Sequence, residues 1–176
     1  HTPPTGFLPI TTQNLPEPPI KDPSKYFNTI LYTGNAANDR AITGVGFEPD
    51  LVYLKDRDTT SNGGRPYMFD KLRVDGSGNE TKGLSTDLSA IESDKSARFK
   101  SIDSDGFTVT GSDVDTNANG IKYVAWNWKE SATAGFDIVS YTGTGNTPQT
   151  RAHSLGVAPE MMIVKSRSGT DGDEHW

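Results

Sequence analysis

From residue 25 onward the chain is a series of short apolar–polar alternations separated by stretches rich in glycine, asparagine and aspartate. Residues 26–33, Tyr-Phe-Asn-Thr-Ile-Leu-Tyr-Thr, are β-branched and aromatic and end on Gly34-Asn35, a turn signal, which predicts a strand. A polar stretch and Gly44-Val45-Gly46-Phe47 lead to Pro49 and a strand over 50–55. Proline is tolerated at such an entrance. Val52 and Leu54 share one face of that strand and Leu51 and Tyr53 the other, the pattern of an interior strand. Asn62-Gly63-Gly64 marks a loop, and Tyr67-Met68-Phe69 a further short strand.

Residues 75–98 carry little periodicity. Leu84, Leu88 and Ile91 stand at helical spacing and predict one or two helical turns. The apolar runs on either side of Asp103-Ser104-Asp105-Gly106 predict a hairpin. Residues 121–129, Ile-Lys-Tyr-Val-Ala-Trp-Asn-Trp-Lys, give the strongest strand signal. Val124, Trp126 and Trp128 fall on one face, Tyr123 and Ala125 on the other. Aromatic bulk points to Trp126 and Trp128 as core residues, with a sugar-stacking platform of Tyr53, Tyr123, Trp126 and Trp128 as the alternative.

The pattern then restarts. Pro49-Asp50-Leu51-Val52-Tyr53-Leu54-Lys55-Asp56-Arg57 returns as Pro159-Glu160-Met161-Met162-Ile163-Val164-Lys165-Ser166-Arg167, so Pro49 and Pro159, Lys55 and Lys165, and Arg57 and Arg167 are each 110 residues apart. Residues 136–143 echo 27–34 at an offset of 109, which places one inserted residue in the intervening loop. A self-match at fixed offset marks repeated structural units. The organisation expected is an arm over 1–24, a first unit over 25–130, a linker over 131–135 and the first half of a second unit over 136–176. Half a sandwich does not close a core, so either the polypeptide continues past Trp176 or another chain completes the second copy. Opening on His1 also suggests a piece of something longer.

Seven of the eleven prolines lie in the first 23 residues. Proline fixes φ and lacks a donor, so 1–24 reads as an extended arm: either a tether, or a docked arm or tail of a preceding domain using Phe7, Leu8, Ile10, Leu15 and Ile20. The formal net charge of -6 argues against nucleic acid as a partner, since phosphate contacts need clustered Lys and Arg. There is no cysteine, which removes disulfides and thiolate chemistry. No apolar run approaches the roughly 18 residues of a membrane helix, so no membrane insertion is expected.

Candidate chemistry is sparse. Asp113, Asp115 and Asn117 sit at alternate positions like the start of a calcium loop. Glycine falls at the eighth position, however, and Val124 occupies the twelfth, where a glutamate is needed; a structural turn is the plainer reading. Asp103 to Gly106 reads as a turn on the same grounds. His1, His153 and His175 show no two-histidine metal spacing. Ser154 adjoins His153, but neighbours along a strand face opposite ways. No carboxylate pair stands out for glycoside hydrolysis. The expectation is no catalytic residue, no cofactor and no enzyme. Lys55, Arg57, Lys165 and Arg167 read as strand ends or as contacts to a neighbouring loop or unit.

Thr2-Pro3-Pro4-Thr5-Gly6-Phe7 and Thr12-Gln13-Asn14-Leu15-Pro16 resemble the closing segment of concanavalin-like (SPRY-type) domains in tail and fibre proteins of tailed phages, marine ones in particular. Tyr32-Thr33-Gly34-Asn35, Gly44 to Val52, Phe69-Asp70, Ser104 to Phe107 and Tyr123 to Trp128 resemble the repeated β domain that follows. The resemblance implies a virion appendage protein, contacting other virion chains as a homo-oligomer and a host-surface glycan. The fold expected is an all-β antiparallel sandwich of jelly-roll or immunoglobulin-like kind. A carbohydrate-binding module or carbohydrate-active enzyme fragment, and a cellular filament subunit, are the alternatives.

Overall fold

The structure is a computed structural model that describes residues 4–8, 11, 14–58, 64–145 and 147–169. Of the residues singled out above, His1, Thr2, Pro3, Ile10, Thr12, Gln13, Asn62, Gly63, His175 and Trp176 lie outside this set. Among the described residues, nine strands follow a short 3₁₀ turn at Pro23–Lys25: β1 (Phe27–Thr33), β2 (Arg40–Thr43), β3 (Leu51–Asp56), β4 (Tyr67–Asp70), β5 (Lys82–Ser85), β6 (Ser93–Asp94), β7 (Phe99–Asp103), β8 (Gly106–Val109) and β9 (Lys122–Trp128). One sheet has the order β1-β9-β3-β4-β5-β6 and the other β2-β8-β7, with every pairing antiparallel. The chain is an all-β protein whose two sheets pack as a sandwich.

β3 is interior, as its two apolar faces predict: it pairs with β9 on one side and β4 on the other. Pro49 is buried at its entrance. The acidic residue after the proline fixes the neighbouring chain, because Asp50 accepts from Glu130 N at 2.8 Å and pairs with Lys71 at 3.0 Å. β7 and β8 form the expected hairpin. Asp105 in its turn accepts from the N–H groups of Gly44 and Gly46, which ties the turn to the end of β2.

The core between the sheets contains Val52, Leu54, Tyr67, Phe69 and Ala125 from the larger sheet and Ile42, Phe99, Ile102, Phe107 and Val109 from the smaller. Phe69 stacks on Phe99 at 4.0 Å, and Phe99 stacks on Phe107 at 5.7 Å. Burial of large rings of this kind is the main favourable term in so small a core.

Three expectations are corrected. Leu84, Leu88 and Ile91 do not make helical turns. Leu84 lies in β5 opposite Met68, Leu88 is exposed, and the chain returns as β6. Gly83 allows this, since a Cβ there would lie 2.8 Å from the Phe69 ring. Secondly, the polar stretch after Asn35 contains β2, whose Ile42 is a core residue. Thirdly, Trp126 and Trp128 are not in the core: the inward face of β9 is Tyr123, Ala125 and Asn127, and the tryptophans are half-buried on the outer side. The inner layer is filled instead by phenylalanines from β4, β7 and β8.

Phe7, Leu8 and Leu15 are exposed, so the arm does not pack on this sandwich through them. The described residues of 137–169 form no strand; the pairing nearest them is a bridge between Ser131 and Phe136. Met161, Met162, Ile163 and Val164 are between 61% and 76% exposed, whereas their counterparts in β3 are largely buried. β3 is held by β4 and β9, and positions 110 residues beyond those strands fall outside the 176 residues. A central strand with neither neighbour has no ladder to join.

Candidate functional site

The outer face of the larger sheet gathers three of the aromatic residues singled out by their chemistry, Tyr53, Trp126 and Trp128. Register places Thr29, Trp126, Tyr53, Met68 and Leu84 in one row across five strands, and Phe27, Trp128, Leu51 and Asp70 in the next. Tyr53 stacks on Trp126 at 5.3 Å, and its hydroxyl lies 3.1 Å from Thr86 Oγ1. Trp128 packs between Phe27 at 5.1 Å and Phe136 at 6.3 Å. Three of the four expected aromatic contact residues thus share one surface. Tyr123 does not. It is fully buried on the opposite face, where its hydroxyl donates to Val114 O and accepts from Ala118 N, both at 2.9 Å. Burial pushes this phenol up to about 12. Alternation along the strand separates it from Trp126.

Residues from 135–141 and 151–167 lie along the β4–β5 side of this face. A cleft of about 580 Å³ separates the two layers, within the range of ligand pockets, with Leu51, Met68, Leu72 and Leu84 on one side and Phe136, Ile138, Leu155 and Ile163 among those on the other. Its polar groups include Asp70, Arg73, Arg151, His153, Lys165 and Arg167. Arg73 is buried and donates from Nε to Asp70 Oδ2 at 2.7 Å; its Nη1 has no hydrogen-bond partner among the described residues. Burial lowers the Arg73 pKa, with Asp70 opposing the shift. His153 accepts from Leu155 N through Nδ1, and Ser154 N donates to Asp137 Oδ2. Neither contact pairs a nucleophile with a base.

The Asp113–Asn117 loop is tied into the protein. Asp113 accepts from Asp115 N at 2.9 Å and pairs with Arg98 Nε at 2.8 Å. Asp115 accepts from Arg65 N at 2.8 Å and also faces Arg98, at 3.3 Å; burial raises its pKa. Asn117 Oδ1 accepts from Asn35 N and Arg40 Nη1, each at 3.2 Å. Its Nδ2 donates to Ala37 O at 2.9 Å and Gly111 O at 3.0 Å. The three side chains therefore hold loops together. Among the described residues no three Asp, Glu or His side chains are grouped as a cation site.

The repeated residues occupy different surroundings in the two copies. Pro49 is buried and Pro159 half-buried. Lys55 pairs with Asp56, and Arg57 is exposed. Lys165 and Arg167 instead reach across to Ser89 and Glu92 of the first unit. Sequence spacing could not show this acceptor, because Glu92 lies in the stretch with least periodicity.

Among the described residues no helix is long and apolar enough to cross a membrane. No curated protein and no solved structure matches the chain. Residues 22–176 match the family described as Domain of unknown function (DUF7483), and the chain belongs to that family.

Proposed function

We propose that this protein is a non-enzymatic module of a virion appendage, such as a tail fibre, working in assembly or attachment to the host surface. The observation that carries this reading is the 110-residue repeat, whose first copy is a closed sandwich and whose residues resemble the repeated β domain of tailed-phage fibre proteins. Tandem units stacked along a chain give length and stiffness without a catalytic centre. The aromatic outer face, with Phe27 and Leu31 exposed beside the Tyr53–Trp126 pair, supplies a surface for other virion chains or a host glycan. On this reading the protein acts outside the cell, as part of a particle, and assembles with copies of itself.

A second reading, favoured by the Tyr53–Trp126 stack, is a carbohydrate-binding module. Antibodies raised against the chain and used for immunogold microscopy of purified tailed particles from its source separate the two. Label on an external appendage is the expected result. Particles that stay unlabelled while the protein is found only outside them would overturn the virion reading and leave the carbohydrate module.

A further inference from the structure

Lys165 and Arg167 show what the repeated Lys-x-Arg ending can hold. Lys165 Nζ donates to Ser89 O at 3.0 Å. Arg167 meets Glu92 with two nitrogens, Nε to Oε2 at 2.7 Å and Nη2 to Oε1 at 3.3 Å. Ser89 and Glu92 belong to the connection between β5 and β6, so these bonds run from the second copy back to the first unit. The Glu92 side chain is 11% exposed and that of Arg167 35%. A forked guanidinium–carboxylate pair in such partial shelter holds geometry better than an exposed ion pair. Lys82 Nζ lies 3.5 Å from the same carboxylate, so Glu92 faces two cations, one from each unit.

Arg57 stands at the same place in the repeated sequence. Its backbone N–H is used, donating to Lys122 O at 2.7 Å, but its side chain is exposed, with no ion pair among the described residues. We infer that the Lys-x-Arg ending is a docking latch that closes on the β5–β6 turn of a neighbouring unit, and that Arg57 is the first unit's own latch, fitted to the Glu92-bearing turn of another copy. The inference rests on the repeat and on these bonds, independently of the virion reading, and its test involves no particle.

The test uses the full chain. Trypsin must draw an arginine or lysine side chain out of its contacts before cutting. Cleavage after Arg167 should therefore rise about tenfold in E92Q, the range expected for losing a hydrogen bond to a charged group. Cleavage after Lys95, which flanks the turn and does not touch Glu92, should stay unchanged, which shows that the hairpin remains folded. For the second half, R167A opens the turn to other molecules. The Arg57 Nε–H resonance and the amides of residues 89–92 should then shift as the chain is concentrated, and R57E should abolish the shift in those amides. Unchanged cleavage after Arg167 in E92Q overturns the latch. Concentration-independent spectra of R167A overturn the role of Arg57.

Discussion

Asn117 is fully buried and makes four hydrogen bonds, two through each end of its amide, to residues 35, 37, 40 and 111. No other side-chain type offers two acceptor and two donor positions on so short a stem. The neighbouring Gly34 shows how close the loops come, since a Cβ there would lie 2.0 Å from Ala118 O. In N117A the carbonyls of Ala37 and Gly111 and the N–H groups of Asn35 and Arg40 would lose these partners at the buried Asn117 site. The expected loss is about 3 kcal/mol of unfolding free energy, read as a lowered midpoint in chemical denaturation. A loss within experimental error would show that the loops are held elsewhere. Before folding is known, Asp113, Asp115 and Asn117 look alike as alternate oxygen ligands. Their separate partners come from residues tens of positions away, and spacing along one loop carries no information about those.

The strands differ in how plainly the sequence announces them, and the difference follows from burial. β1, β3 and β9 alternate over six or seven residues, and β3 is apolar on both sides because both its neighbours are present. β2 is four residues with one core side chain, Ile42, and β6 is two exposed residues, so neither leaves a pattern. β5 is hidden because Gly83 packs under Phe69 by lacking a side chain. The outward aromatics of β9 mislead for the opposite reason: bulk is visible in sequence, whereas the direction of the partner sheet is not. The connection into β5 is fixed by Asp75, which accepts from Ser77 N at 2.7 Å and from Asn79 N and Nδ2, each at 3.0 Å. The Asn79 side chain is the largest cause holding its carboxyl at about 2, against an ordinary 3.8. A carboxyl lowered by folding stabilises above its unfolded value and ceases to as pH falls toward the folded one. The turn's contribution is therefore complete above pH 3.8 and disappears toward about 2. D75N should flatten that part of the acid limb of stability. A carboxyl carbon titration of Asp75 centred at the ordinary value would contradict it.

At the scale of the molecule, the buried hydrophobic core cluster of the sandwich, among the described residues, lies between Ile42 and Ala125, while residues from 136–141 and 151–167 contribute cover on the outside. This division predicts what removal of the second copy would do. A chain ending at residue 135 retains all nine strands, the Phe69–Phe99–Phe107 stack and the Asp50–Glu130 tie. It loses the layer over Leu51, Met68 and Leu84. If roughly 100 Å² of apolar surface is uncovered, the cost is about 2.5 kcal/mol at 25 cal/mol per Å², a fraction of what a closed sandwich of this size holds. The shortened chain should therefore unfold in one cooperative step at a lower denaturant midpoint, with its Tyr53 and Trp126 environment near native by fluorescence. A non-cooperative melt would mean that the units stabilise each other as one body. Cooperative unfolding would place the repeat's contribution in docking, where the Glu92–Arg167 pair and the covered outer face join one self-sufficient sandwich to the next.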